Sequence, residues 1–564
     1  MSVPASTGSD AAVRSRRESL GFALGVAAVI ALAAALGLRD LGSPGLYYDE
    51  AIQAVPAAEF LRASARPFEL PGTWNARIAG RWFPVLTQPY MGALKSQLLI
   101  PVFAAFGASV ESLRAATFGF GLLGLGLAML FARSLLGTPV ALVGGLLLAV
   151  DPAFLLVSRH DWGSFSLGLA CRCGGLWLAV TGFERRSAAR LAGAGLAFGV
   201  GVYNKLDAVA FLAAAACAIV LVAPRAVGER LRRRPGEFGA LAACLLLGAA
   251  PLLPSAWKTL RYLNRAFRMD SGVAHDLPEK LSTWSTLFDG SHFERLMLAG
   301  GRFEALSSVE GAVASLFLPA LVASAVAVAA GLAVRRPWQR VERAQAFVLA
   351  TLVLAIAGLL AMPGAVRIHH ALNVTPLPQL VVACAVVDLW RRAGRARASA
   401  VGRALLALAL AALVASELRA DLATLAEIRD HGGRGRWSDA LGAFAHELEA
   451  EPTGPVVSLD WGFHAQLSLL APELDLREPI WAMRPATGGF QMEGPPGTVY
   501  LVQDPRYHLF PFGDELLAAV SRLPEGAVSI RGHADRSGEN AFFSIRIDRP
   551  HRLVRREVVE IVLE

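Results

Sequence analysis

The sequence predicts a mainly α-helical, polytopic membrane protein of about eleven transmembrane helices that ends in a small α/β soluble domain. Of its 564 residues 54% are hydrophobic and 18% charged, against roughly 25% charged in soluble chains, and the mean hydropathy is +0.46. Apolar runs long enough to cross a bilayer recur down to about residue 418 and then stop. The excess of 54 Lys+Arg over 46 Asp+Glu gives a net charge of +8, which basic loops on one side of a membrane account for without nucleic acid. The five cysteines lie inside apolar runs, so neither a disulfide framework nor a thiol site is expected.

Residues 1–17 are small and polar, with Arg14, Arg16 and Arg17 just before the first apolar run, and read as a disordered cytoplasmic tail. Spans are expected near 20–38, 112–132, 138–157, 164–182, 190–204, 206–223, 238–256, 309–334, 344–362, 371–390 and 402–418. The segment MGALKSQLLIPVFAAFG at 91–107 is apolar too, yet it contains Lys95, Gln97 and Pro101. Charge decides its placement. If it does not span, the loops FERRSAAR, PRAVGERLRRRPGEF, RRPWQRVER and WRRAGRARASAVGR, with 3, 5, 4 and 5 Arg, all fall on the amino-terminal, cytoplasmic side. If it spans, all seventeen lie outside. It is therefore expected as an interfacial helix, within a non-cytoplasmic loop of about 39–111. A second long loop on that side covers about 257–308.

From about 419 the pattern becomes that of a soluble chain. Strand-like PVVSLDWG and TVYLVQD alternate with helix-like ALGAFAHELEA and DELLAAVSRL, and a β-pair follows at AVSIRG and AFFSIRID. The reading is a transmembrane catalytic module over 18–418 and an extracytoplasmic α/β domain over 419–564.

Ionisable residues gather in the loops of the non-cytoplasmic face. GLYYDEAIQ places Asp49 beside Glu50 after the first span, where one of two adjacent carboxylates can serve as a base. Acidic residues also favour a first helical turn, an equally local explanation. SRHD supplies Arg159, His160 and Asp161, and VYNKLD supplies Asn204, Lys205 and Asp207. RIHH supplies Arg367, His369 and His370; adjacent histidines on a helix do not face one site, so no metal is assigned. Each set could merely anchor a helix at the interface. Together they form a mixed acid and base set at one depth, suited to attack by a neutral nucleophile on a sugar carbon whose leaving group is a lipid phosphate.

The stretches GLYYDEAIQ, SRHD, GAGLAFGVGVYNK and RIHHALNVTPLP resemble the membrane-embedded GT-C glycosyltransferases, notably the family 39 branch with its protein O-mannosyltransferases and lipid A aminoarabinose transferase. The resemblance covers about 18–391 and implies a polyprenyl-phosphate-linked sugar donor. It implies that Asp49 is the base with Glu50 beside it, and that Asp161 shares the site. Lys95, Lys205 and Arg367 would hold the donor phosphate, with Arg159, His160, His369 and His370 around the substrates. The stretch before Lys95 departs from the family, reading TQPYMGAL where a Lys-Pro-Pro type is expected. The acceptor would be a glycan, lipid or protein. No cofactor is required, although Asp49, Glu50 and Asp161 could hold a divalent cation if they converge. The competing function is a transporter or flippase of a lipid-linked saccharide, which usually needs polar residues at mid-membrane; here those positions are Ala, Leu, Val and Gly.

Overall fold

The computed structural model describes residues 7–563 apart from 71, 161, 262–276, 363–365, 394–398, 452–453 and 484–488. Among these, seven helices are long and apolar enough to cross a membrane, and three bent helix pairs raise the number to ten. The segment expected as an eleventh span, Ala188–Asn204, is a helix of 17 residues. It lies tight against Pro235–Ala249. A Cβ on Gly195 would meet the Leu241 carbonyl oxygen at 2.0 Å, and one on Gly199 would meet that of Leu245 at 2.1 Å. Small residues four apart let the two backbones touch, a packing that membrane helices use where no hydrophobic drive pulls them together.

Two expected boundaries move. The first helix starts at Thr7, so much of the segment read as a disordered tail is helical; Ala, Arg, Glu and Ser sustain a helix already propagating from the apolar run. At the other end Ser399–His431 is one helix of 33 residues. It carries the chain past 419, because ELRADLATLAEIRDH keeps helix-forming residues after the apolar run ends.

Basic connections collect at one end of the bundle. Arg340 reaches Glu184, Arg230 Nη1 donates to the Phe183 carbonyl at 2.8 Å, and Arg335 pairs with Asp388 at 2.9 Å. The opposite end carries the first loop, whose helix Tyr48–Arg62 is followed by strands β1 (Trp74–Ile78), β2 (Arg81–Gln88) and β3 (Met91–Gly92) in an antiparallel sheet. Only helices were expected there. Leu94–Phe106 then forms a helix of 13 residues containing Pro101, which at about 1.5 Å per residue is too short for a hydrocarbon core of about 30 Å.

The carboxy-terminal part contains β4 (Val456–Ser458), β5 (Leu476–Arg477), β6 (Phe490–Gly494), β7 (Thr498–Gln503), β8 (Val528–Ala534), β9 (Asn540–Ile547), β10 (His551–Arg555) and β11 (Val559–Leu563). A mixed sheet runs β5-β4-β7-β9-β8, with β4 parallel to β5 and β7, while β9 is antiparallel to β7 and β8. Its central strand β7 is buried throughout, with Val499, Tyr500, Leu501 and Val502 facing helices and neighbouring strands. A second antiparallel sheet, β11-β10-β6, was not expected from the sequence.

Candidate active site

Asp49 and Glu50 lie in the first turn of the helix Tyr48–Arg62, and the structure gives them different surroundings. Glu50 accepts the Tyr47 backbone N–H and closes a capping box. Both its oxygens are also held by Arg114, from Nε at 2.8 Å and Nη2 at 2.9 Å, with both side chains buried. Arg114 ties the turn further by donating to the carbonyls of Leu41, Pro44 and Gly45. Glu50 is thereby spent on building the loop, and it is not presented to share a cation with Asp49.

Asp49 points the other way, where its Oδ2 accepts the Trp162 indole N–H. Burial raises its carboxyl to about 6, against the pull of the Trp162 hydrogen bond and of the Lys205 and Lys95 charges, while Glu50 adds a small push upward. Asp49 thus feels residues from the first loop, the helix Leu94–Phe106 and the 205 loop. Lys95 is buried at the start of Leu94–Phe106. Lys205, also buried, pairs with Asp207 at 3.1 Å. A Cβ on Gly163 would meet its Nζ at 3.1 Å and the His369 ring at 3.3 Å, so the left-handed turn at Gly163, with φ +70°, lets the 163 and 205 loops close on one another.

Around this turn a narrow recess is lined by Ser164, Arg172, Asn204, Lys205, His369 and Asn373. Asn204 Nδ2 donates to the Ser164 carbonyl at 2.9 Å, and Arg172 Nη1 donates to Asn373 Oδ1 at 2.8 Å. Arg172 escaped the sequence reading, although a lone Arg within the apolar run LGLACRCGGL is a functional signal in itself. His369 packs on Trp162 with ring centroids 5.4 Å apart and on His370 at 4.1 Å. Arg367 lies over the Phe303 ring at 4.5 Å and is 3.6 Å from Glu279; Phe303 in turn packs on Trp162 at 5.3 Å.

Other expected residues serve the framework. Arg159 donates to the carbonyls of Asp40 and Ser43 and so fastens the first loop. His160 is buried against Phe293, ring centroids 5.4 Å apart, with Nδ1 4.0 Å from Glu50. Neither faces the recess that holds Lys205. Asp161 lies outside the described residues. Among the described residues no three His, Cys, Asp or Glu side chains gather as a metal-binding set.

The aromatic rings packed on Tyr47, Tyr48 and Trp162 come from far along the chain. Tyr47 stacks on Trp437, with rings 3.9 Å apart and 7° from parallel, and Trp461 meets Tyr47 edge-on at 5.3 Å and Tyr48 at 4.5 Å. Trp437 is fully buried and contacts the rings of His160, Trp162 and Phe293 as well. It follows the glycine run GGRG, where a Cβ on Gly433, at φ +90°, would meet the Trp437 carbonyl at 2.1 Å. Asp460, by contrast, accepts the backbone N–H groups of Trp461 and Leu509, as an ordinary strand-to-helix turn does.

Residues 88–254, which include Lys95, Trp162, Arg172 and Lys205, match the profile of the dolichyl-phosphate-mannose-protein mannosyltransferase family. ArnT from Cupriavidus metallidurans bound to undecaprenyl phosphate superposes with a TM-score of 0.53 at 14% identity, over 93% of this chain and 97% of that one. The chain has the GT-C fold of ArnT. The apo form of the same ArnT gives the same TM-score and identity over 98% of its chain. The Archaeoglobus fulgidus oligosaccharyltransferase AglB, solved with an inhibitory peptide and a dolichol-phosphate, gives 0.47 at 14% identity over 80% of this chain and 63% of that one. No curated protein sequence matches the chain.

Proposed function

We propose that this chain is a glycosyltransferase that moves a sugar from a polyprenyl-phosphate donor to an acceptor hydroxyl on the non-cytoplasmic face, with Asp49 as general base. The observation that carries the reading is a buried carboxyl raised to about 6, with two buried lysines acting on it and one indole holding it. In the step, the acceptor oxygen attacks the anomeric carbon and its proton passes to Asp49. The bond from that carbon to the phosphate oxygen breaks with its electron pair leaving on the phosphate, and Lys205, Lys95 and Arg367 stabilise the charge that grows there. A single displacement inverts the anomeric configuration. Glu50 is a positioning residue that fixes the helix turn carrying Asp49.

The Arg-rich end of the bundle faces the cytoplasm in this reading, so the catalytic end and the carboxy-terminal domain face outward. The step invokes no cofactor. Chelation with EDTA is therefore expected to leave turnover unchanged, and a loss restored by Mg²⁺ would put a cation into it. The deciding experiment measures donor binding and single-turnover transfer for Asp49→Asn. Near-normal transfer would remove Asp49 from the mechanism and turn attention to Asp161.

A further inference from the structure

The span Ala208–Val222 ends in a turn that its sequence dictates. Pro224 has no N–H to continue the helix and disfavours helical angles at the residue before it, and Ala223 sits at φ −139° and ψ 51°. Pro224 then opens a new helix, Pro224–Arg233, at the position where its missing N–H costs nothing. The two axes meet at 100°. A helix set at right angles to the span that precedes it runs along the bilayer surface.

The residues of Pro224–Arg233 are sorted for such a place. At about 100° per residue, Pro224, Val227 and Leu231 share one stripe, Arg225 and Arg232 flank it on one side and Arg230 on the other, and Glu229 and Arg233 lie opposite. No residue of this helix is buried, and Leu231 is 49% exposed. Val220 and Leu221 at the end of the span are exposed too, as side chains against lipid are. An apolar stripe bordered by arginines suits the boundary between headgroups and acyl chains.

The charges fall into two groups. Glu237 takes Arg230 at 2.8 Å and Arg234 at 3.1 Å, and the Arg230 guanidinium also lies over the Phe183 ring at 4.7 Å, which pins the helix to its neighbours. Arg225, Arg232 and Arg233 are exposed and make no ion pair or hydrogen bond among the described residues, and the same holds for the side chains of Arg185 and Arg186 beside Phe183. Glu184 is taken by Arg340, so Glu229 is the one carboxylate left on this helix to face them. These guanidiniums lack a counter-charge in the protein. Their planar forks match phosphate oxygens in pairs, and the phosphates at this level are those of lipid headgroups.

We propose that Pro224–Arg233, with Arg185 and Arg186 beside it, is a docking surface for anionic phospholipid headgroups, in which Arg225, Arg232 and Arg233 hold the phosphates and Leu231 turns toward the acyl chains. It depends neither on Asp49 nor on which end of the bundle faces the cytoplasm. The test titrates the full chain in detergent micelles with dioleoylphosphatidylglycerol and, separately, with dioleoylphosphatidylcholine, counting bound lipid by native mass spectrometry. Phosphatidylglycerol should bind the more tightly. The triple variant Arg225→Gln, Arg232→Gln, Arg233→Gln should lose at least about fivefold of that affinity, the attraction of one basic residue near a charged surface, with phosphatidylcholine binding unchanged. Equal binding of the two lipids by the wild type, or undiminished phosphatidylglycerol binding by the variant, overturns the proposal. A second measurement places a nitroxide on Leu231→Cys, with the native cysteines replaced, in nanodiscs of phosphatidylcholine and phosphatidylglycerol in equal parts. Oxygen, which enters the bilayer, should relax its spin signal more than a water-soluble nickel chelate does. The opposite order puts the stripe in water, where an acidic protein would be the fitting partner, and also overturns the proposal.

Discussion

Burial and the Trp162 hydrogen bond act on Asp49 in opposite directions, and burial prevails, leaving its carboxyl at about 6. A base must be deprotonated to work, so turnover is expected to fall as pH drops through about 6 and to level off above about 7, with single-turnover rates across pH 5–8 as the measurement. Asp49→Asn keeps the shape and removes the proton acceptor. Its transfer rate should drop by about 10²–10⁴ with donor binding little changed. Lys205→Ala should give the other balance, weakening donor binding as well as transfer, because the ammonium is proposed to hold the phosphate in ground and transition states alike. Glu50→Gln acts through Arg114: it leaves a buried guanidinium short of its counter-charge, so thermal unfolding of the purified protein should register a loss of about 3–5 kcal/mol. The sequence made the Asp49–Glu50 pair conspicuous. It could not divide their roles, since Arg114 lies 64 residues from Glu50 and nothing local links them.

At the level of elements, the close crossing of Ala188–Asn204 with Pro235–Ala249 depends on missing side chains. Gly199→Val puts carbon where the Leu245 carbonyl sits and forces the helices apart. Melting in detergent should show a cost of about 1–3 kcal/mol or more, while Gly228→Val, which meets nothing within 4 Å, should melt as wild type. That 91–107 would not form a spanning helix could be read from Lys95, Pro101 and loop charge, because membrane thickness and charge asymmetry act on composition alone. The first-loop sheet β1-β2-β3 could not. Its strands pair with one another and pack against the helix Tyr48–Arg62, with Arg81 donating to the carbonyls of Phe60 and Leu61, and such pairing leaves a weak period in short segments.

For the whole molecule, the sorting of basic connections to one end makes orientation testable. With the five native cysteines replaced, cysteine introduced at Arg232 should resist an impermeant thiol reagent in intact cells, and cysteine at Ser529 in β8 should react. The reverse pattern would invert the topology. The rings of Trp437 and Trp461, both packed on Tyr47, tie the two regions of the chain together.

By itself, the sequence determined that the chain is a polytopic helical membrane protein, that 91–107 is unfit to cross, that a small α/β region follows the last span, and that charged loops gather at one end. Each of these depends on hydropathy, periodicity or charge within a window of some twenty residues. Only the tertiary structure decided that Arg159 and His160 support the loop while Lys205 and Asp49 share surroundings, that Arg172 joins the recess, and that Trp437 packs on Tyr47 and Trp162. Those outcomes depend on which faces of distant helices meet, and a side chain's direction is set by its packed neighbours, which the local sequence does not contain.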